Sequence, residues 1–187
     1  MYSCGMKMLY GHSEIDQRLA AIASEVNALV TTHPDFEDAI CVPILQGSVP
    51  FFHDLSKYFC WNPVVDYVGV SSYDGQTQQE LTAYKLPKRH LVEGKCVFLF
   101  DDIYDTGRTV DFFVKLLYSL GAKEVIPVVL LKRKTSNVPL DPRVKNLIAC
   151  FEIWDEWVFG YGMDDDNGRG RTLKHILYHE PDYQAKV

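Results

Sequence analysis

The segment VFLFDDIYDTGRT, residues 97–109, places two kinds of binding group side by side. Asp101, Asp102 and Asp105 supply carboxylates, and the turn that follows supplies hydroxyl groups and a glycine. Unpaired N–H groups at the start of a helix, together with the positive end of its dipole, bind phosphate well. Gly107 lets the backbone approach such a ligand closely. The loop formed by Asp105, Thr106, Gly107, Arg108 and Thr109 therefore predicts a site for a phosphate monoester.

The carboxylates need a different partner, because they repel phosphate. Vicinal hydroxyl groups donate hydrogen bonds to carboxylates, and a sugar phosphate carries both kinds of group. A ribose 5-phosphate would place its phosphate on residues 106–109 and its 2′- and 3′-hydroxyls on Asp101 and Asp102. The alternative is an acidic first helical turn that only complements the helix dipole. The spacing fits neither the D-x-D-x-T motif of aspartyl-phosphate hydrolases nor a Walker-type phosphate loop.

Short apolar runs alternate with helical patterns along the chain. Strands are predicted at residues 39–45, 64–70, 97–100 and 125–131, with further candidates at 81–86, 148–153 and 157–161. Helices are predicted from residue 13 to about 32, and at 49–58 and 106–120. This alternation predicts an α/β fold with a central, mostly parallel sheet flanked by helices. Ligands of such sheets bind at the carboxyl ends of the strands, where the aspartates lie.

Composition limits the class of protein. A chain of 187 residues is long enough for one domain, residues 1–187, with its own core. The net charge of −6 argues against a protein that mainly grips nucleic acid. Five cysteines without C-x-x-C spacing indicate buried thiols rather than disulfides or zinc ligands. No segment has the apolar length of a signal peptide or a membrane span, so no membrane partner and a cytoplasmic location are expected.

Residues 97–109 resemble the 5-phosphoribosyl-1-pyrophosphate (PRPP) binding motif of type I phosphoribosyltransferases. From about Ala39 to His175 the chain resembles the hypoxanthine-guanine branch of that family. The resemblance implies transfer of phosphoribosyl from PRPP to an oxopurine, with Mg²⁺ as cofactor. It also implies a small hood subdomain from about residue 146 to 187, with a possible N-terminal contribution. Relatives form dimers or tetramers, so a homo-oligomer is expected.

The resemblance assigns two loops. Leu45, Gln46 and Gly47 match a loop that binds pyrophosphate and often contains a cis peptide. Some relatives carry lysine in place of Gln46, so an ionic contact is lost here. Without the resemblance, these residues would be an ordinary strand-to-helix turn. Ser72 and Tyr73 match a mobile loop that closes over the active site and excludes water.

The purine side is assigned in the same way. Lys132 matches a lysine that donates to the 6-oxo group, although residues 132–134 are also plausible as a solvated basic cluster. Trp157 matches an aromatic ring stacked on the base, and Val158 matches a backbone contact to the base edge. An isolated tryptophan is more often part of a core.

The remaining assignments concern the chemistry. Asp105 is the expected general base, which accepts a proton from purine N7 as N9 attacks. Asp164 matches an acid near magnesium and pyrophosphate, and the acidic run 164–166 is otherwise a solvated loop. A pyrophosphate-binding arginine is expected at Arg171, with Arg169 as the alternative.

Three other functions stay open on the sequence. A PRPP-sensing regulator would keep the sugar-phosphate site and bind nucleic acid, which the acidic net charge disfavours. A phosphoribosyltransferase for another base would differ on the purine side. A sugar-phosphate binding module without catalysis would have no need of Asp105. The sequence does not rank hypoxanthine, guanine and xanthine.

Overall fold

The computed structural model describes residues 5–73, 80–135 and 139–180. The strands are β1 (Met6–Tyr10), β2 (Ile40–Leu45), β3 (Val64–Val65), β4 (Val68–Tyr73), β5 (Glu80–Lys85), β6 (Cys96–Tyr104), β7 (Glu124–Arg133), β8 (Ile148–Ile153), β9 (Trp157–Phe159) and β10 (Ile176–His179). The helices are α1 (His12–Thr32), α2 (Ser48–Ser56), α3 (Arg89–Val92) and α4 (Arg108–Ser119). A single 3₁₀ turn, Pro34–Phe36, lies between α1 and β2 within these described ranges.

The main sheet has the strand order β5-β4-β2-β6-β7-β8, and the short β3 also pairs with β2. The pairs β2–β4, β2–β6, β6–β7 and β7–β8 are parallel, whereas β4 and β5 are antiparallel. The predicted α/β fold with a mostly parallel central sheet is therefore confirmed. Its inner strands are continuous apolar runs because both faces are covered.

Strand β6 is held between two apolar clusters. Phe98 and Phe100 point toward the cluster that contains α1 and α2. Val97 and Leu99 point toward the cluster that contains α4. Because successive side chains of a strand alternate between its faces, both apolar clusters pack against the same strand. The carboxyl end of β6, which carries the aspartates, is thus fixed by packing on both sides.

A second, antiparallel sheet has the order β1-β10-β9 and was not predicted. Its register pairs Met6 with His179, and Leu177 with Phe159. The N-terminal strand therefore joins the C-terminal region that was expected to form the hood. The division of the chain into domains stays a prediction.

Element boundaries differ from the predictions at two functional places. Strand β6 continues to Tyr104, four residues beyond the predicted end, and α4 begins at Arg108 rather than at Thr106. Ser72 and Tyr73, expected in a mobile loop, are the last two residues of β4. The rest of that predicted loop, residues 74–79, lies outside the described residues. Within the described part of the chain, no helix is both long enough and apolar enough to span a membrane.

Candidate active site

A cavity of about 340 Å³ lies at the carboxyl ends of β2 and β6. Twelve residues that the sequence singled out line it: Leu45, Gln46, Gly47, Asp101, Asp102, Asp105, Thr106, Gly107, Arg108, Thr109, Asp164 and Arg171. They come from three separate parts of the chain. The fold therefore brings the expected ribose, phosphate and pyrophosphate groups into one place.

The turn between β6 and α4 depends on Gly107. Its φ of 89° is in the left-handed region, and an added Cβ would lie 2.5 Å from the Tyr104 hydroxyl. Any other residue would be strained and would clash. Gly107 directly precedes α4, and its carbonyl accepts the first helical hydrogen bond, from the Asp111 N–H at 2.9 Å. The start of a 12-residue helix thus faces the cavity, as a phosphate site requires.

Asp101 and Asp102 form a close acidic pair in the cavity wall. Asp101 is buried, and its Oδ1 accepts a hydrogen bond from the Asp102 N–H at 3.0 Å. Burial, followed by the charge of Asp102, raises the pKa of the Asp101 carboxyl well above its usual value. Hydroxyl donors from a ligand would stabilise the charged forms of such a pair.

The loop after β2 packs directly against this pair. The peptide bond between Leu45 and Gln46 is cis, the geometry that the resemblance implied. Ser48, in the first turn of α2, donates a hydrogen bond from its hydroxyl to the Ile44 carbonyl at 2.6 Å. This bond joins the two ends of the loop. A Cβ on Gly47 would lie 1.9 Å from Oδ2 of Asp102. Only glycine allows this contact between the loop and the acidic pair.

Arg171 reaches the cavity, and of the two arginines left open by the sequence it is the one in the cavity wall. Its Nη2 lies 2.8 Å from Oδ2 of Asp164, and its Nη1 donates to the Gly162 carbonyl at 2.7 Å. Arg169 instead donates its backbone N–H to Asp165 within the same loop. The structure thus pairs the expected pyrophosphate ligand with the expected metal-side acid.

A second cavity, of about 260 Å³, adjoins the first and shares Asp102, Asp105 and Asp164 with it. Trp157 and Val158, the expected purine contacts, lie in its wall. Trp157 is 47% exposed, so it is not a core residue. Asp105 lies where the two cavities meet, between the expected sugar and base positions.

Lys132, also expected on the purine side, lines neither cavity. Its Nζ lies 4.0 Å from Oε1 of Glu152. The next residue, Arg133, lines the second cavity instead and donates from Nε to Oδ1 of Asp105 at 2.5 Å. Sequence reasoning missed Arg133, because it treated residues 132–134 as one basic cluster.

Comparison with known proteins identifies the family. The family model for the phosphoribosyl transferase domain matches residues 5–166. The chain belongs to the phosphoribosyltransferase family. Hypoxanthine-guanine phosphoribosyltransferase from Streptococcus pneumoniae is 30% identical over 176 residues, which is 93% of this chain and 94% of the relative. The enzyme of the same kind from Lactococcus lactis is 29% identical over 96% of this chain and 94% of its own.

Solved structures agree with the family assignment. A hypoxanthine phosphoribosyltransferase from Trypanosoma cruzi, in complex with its product IMP, aligns over 100% of this chain and 96% of its own. Its TM-score is 0.81 and its sequence identity 25%. The hypoxanthine phosphoribosyltransferase from Staphylococcus aureus aligns over 95% of this chain and 92% of its own, with a TM-score of 0.75 and 29% identity. The predicted hypoxanthine-guanine branch and its type I fold are confirmed, and the chain is a phosphoribosyltransferase.

The carboxylates of the phosphoribosyltransferase suit a hard divalent cation. Asp102 and Asp164 border both cavities, and carboxylate oxygen is a ligand that Mg²⁺ prefers. Within residues 5–73, 80–135 and 139–180, no group of three or more His, Cys, Asp or Glu side chains is arranged to hold a metal. An ion bound here would take most of its ligands from substrate phosphates and water, as Mg²⁺ commonly does.

Proposed function

We propose that the protein transfers the 5-phosphoribosyl group of PRPP to N9 of an oxopurine, namely hypoxanthine, guanine or xanthine. The products are a nucleoside 5′-monophosphate and pyrophosphate, and the reaction belongs to purine salvage. One observation carries the proposal: the acidic pair, the glycine turn and the Leu45–Gly47 loop line a single cavity, and an aromatic-walled cavity adjoins it. The two cavities together thus contain a group suited to each part of the reacting molecules: the 5-phosphate, the ribose, the pyrophosphate and the base.

PRPP would bind along the carboxyl end of β6. Its 5-phosphate would accept hydrogen bonds from the N–H groups and hydroxyls of Thr106–Thr109, with Arg108 adding a positive charge. Its 2- and 3-hydroxyls would donate to Asp101 and Asp102. These charge-assisted hydrogen bonds would offset the repulsion between the two adjacent carboxylates.

The pyrophosphate end would lie against the Leu45–Gly47 loop and Arg171. Backbone N–H groups of the loop would supply donors where Gln46 supplies no charge. Asp164, with PRPP oxygens and waters, would hold Mg²⁺, which neutralises the negative charge of the departing pyrophosphate. Arg171 would then contact pyrophosphate from the position that it occupies beside Asp164.

The base would enter the second cavity. Trp157 would stack on the purine, the Val158 backbone would contact its edge, and Lys132 would donate to its 6-oxo group. N9 would attack the anomeric carbon as the bond from that carbon to the pyrophosphate oxygen breaks. Asp105 would accept the N7 proton as this charge develops, since it lies on the wall shared by both cavities.

Ser72 and Tyr73 would belong to a loop that closes during the reaction. Their backbone forms the end of β4, and Val70 of the same strand lines the PRPP cavity. Closure from this side would exclude water from a sugar cation that hydrolyses readily.

The small β1-β10-β9 sheet would form the hood over the base, with the N-terminal strand as part of it. Strand β9 carries both Trp157 and Val158, so the position of this sheet would set the width of the base cavity. A homo-oligomer, either a dimer or a tetramer, and a cytoplasmic location stay predictions for this chain.

The proposal is tested by mixing the protein with PRPP, Mg²⁺ and one base at a time, and following nucleotide formation by absorbance. Turnover is expected with oxopurines and not with adenine or orotate. Turnover with a pyrimidine only would indicate a different base specificity. Tight PRPP binding without turnover on any base would indicate a sensor or a binding module.

A further inference from the structure

Arg133 makes three directed contacts that join separate parts of the candidate active site. Its Nε donates to Oδ1 of Asp105 at 2.5 Å, and its Nη1 donates to the Trp154 carbonyl at 2.6 Å. Its Nη2 donates to the Glu156 carbonyl at 3.3 Å. The Arg133 side chain is only 14% exposed, whereas the Asp105 side chain is 55% exposed, so most of the arginine is covered by protein while the carboxylate stays accessible. Because a guanidinium is planar and its donors have fixed directions, the three acceptors are held in one arrangement.

The sheet topology explains why Arg133 reaches all three. Pairing of β6 with β7 ends at Tyr104 and Lys132, so Asp105 and Arg133 follow at the next positions. Pairing of β7 with β8 ends at Arg133 and Ile153, directly before the connection 154–156. Arg133 therefore lies between the end of β6 and the segment that leads into β9.

The neighbours of Arg133 point elsewhere. Lys132 and Lys134 both lie near Glu152, at 4.0 and 3.9 Å. Lys134 also lies over the Trp154 ring, 4.5 Å from its centroid. Alternation along β7 separates Arg133 from Lys132, and Lys134 follows the end of the strand, so only Arg133 of these three residues is directed toward Asp105.

We propose that Arg133 is a positioning residue for the transfer reaction. It orients the Asp105 carboxylate, because a hydrogen bond to Oδ1 restricts rotation of the group about its Cβ–Cγ bond and hence the directions that Oδ2 can take. It also fixes the connection 154–156, and with it the start of β9, which carries Trp157 and Val158. The inference rests on the proposed roles of Asp105 and Trp157. It adds that one side chain sets the distance between the proton acceptor and the bound base.

Two substitutions test this role in steady-state kinetics. Arg133→Gln removes the positive charge and the planar set of donors of the guanidinium. It should lower kcat about 10- to 100-fold, because small misplacements of a catalytic group have effects of that size. It should raise the oxopurine KM and leave the PRPP KM within about two-fold, since these contacts involve Asp105, whose proposed role is proton transfer, and leave the acidic pair and the Leu45–Gly47 loop unchanged. Arg133→Lys keeps the positive charge but supplies no planar set of donors. It should not restore kcat, and full recovery by lysine would overturn the positioning role.

A double-mutant cycle separates positioning from general damage. If Arg133 acts through Asp105, adding Arg133→Gln to Asp105→Asn should lower kcat by no more than about two-fold further. The rise in oxopurine KM should persist in the double variant, because the 154–156 connection is still released. Multiplication of the two kcat losses would contradict the inference.

Arg143→Gln is the matched control. It also removes an arginine–aspartate pair, between Arg143 and Asp141 at 2.7 Å, and Arg143 lines neither cavity. It should lower the melting temperature and leave kcat unchanged. A kcat loss equal to that of Arg133→Gln would show that lost stability, rather than positioning, is responsible.

Amide hydrogen exchange gives a test that does not need turnover. Arg133→Gln should speed exchange at residues 154–158 relative to wild type, and Arg143→Gln should not. Unchanged exchange in Arg133→Gln would overturn the inference even in an active enzyme. Absence of turnover in the wild type would instead refute the proposed function, and the exchange comparison would still decide whether Arg133 holds this segment.

Discussion

Gly47→Ala adds a single methyl group that should disturb the expected ribose site, and it leaves every backbone N–H donor of the Leu45–Gly47 loop in place. Gly47 has φ −61° and ψ −36°, which alanine adopts freely, so the backbone accepts the substitution. The new Cβ would lie 1.9 Å from Oδ2 and 2.5 Å from Cγ of Asp102, whereas ordinary contact begins near 3.4 Å. The carboxylate of Asp102 must therefore retreat by about 1.5 Å, the difference between 3.4 and 1.9 Å.

A retreat of this size removes a hydrogen bond between a charged carboxylate and a ribose hydroxyl. Such bonds contribute about 1.5–3 kcal/mol, so PRPP should bind about 10- to 150-fold more weakly in the variant. The Asp102 side chain is half-buried and can rotate away. The melting temperature should therefore fall by only about 2–4 °C, equivalent to about 1 kcal/mol of packing strain.

Isothermal titration calorimetry with PRPP and Mg²⁺, together with thermal melting, measures both quantities. Gly11→Ala is the control, because Gly11 also has a negative φ and its added Cβ would meet only Met8 Sδ at an ordinary 3.5 Å. In an Asp102→Ala background, Gly47→Ala should cost no further affinity, because the group it displaces is gone. PRPP affinity equal to wild type in Gly47→Ala would refute the assignment of Asp102 to the ribose.

Three further outcomes are expected. Asp105→Asn keeps the shape of the side chain and removes the base, so kcat should fall about 10²- to 10⁴-fold in steady-state assays. The affinity for PRPP should be mostly retained. An equal loss of PRPP binding would indicate that Asp105 is mainly a binding residue. Lys132→Ala should weaken oxopurine binding more than PRPP binding in calorimetry, and unchanged purine affinity would remove Lys132 from the base site. The hydrogen bonds from Arg143 hold the pKa of Asp141 below its usual value near 3.8, so this pair stabilises the fold above that pH and the stabilisation is lost as the pH falls. The gap in melting temperature between wild type and Arg143→Gln should therefore be as wide at pH 5 as at pH 7, and should become smaller as the pH falls below about 4; a gap that stays constant at every pH down to pH 3 would exclude this linkage.

The main sheet and most residues that line the larger cavity could be predicted from the sequence, for a physical reason. Buried parallel strands are continuous apolar runs, and the binding groups follow them directly in the chain, as Asp101 follows Phe100. The strand end was harder to predict. Residues 101–104 contain two aspartates and so interrupt the apolar run. They still belong to β6 because β7 continues beside them as far as Lys132.

The features that sequence reasoning missed depend on long-range pairing. Strand β1 pairs with β10 across about 170 residues, and nothing in either segment alone indicates the other. Arg133 was missed for the same reason, because its partners Asp105 and Trp154 are defined by the register of three strands. A parallel alignment of β6 and β7 from their apolar runs would have placed residue 133 beside residue 105. That alignment is the signal that could have found it.

A phosphorylated ribose is expected to bind where β6 leads into α4. A crystal structure of the protein with a bound nucleoside 5′-monophosphate would show whether it does. We predict that the 5′-phosphate lies within hydrogen-bond distance of the backbone N–H groups of residues 106–109, and that the ribose hydroxyls contact Asp101 and Asp102. A phosphate bound at the Leu45–Gly47 loop instead, or a nucleotide bound outside both cavities, would contradict the account.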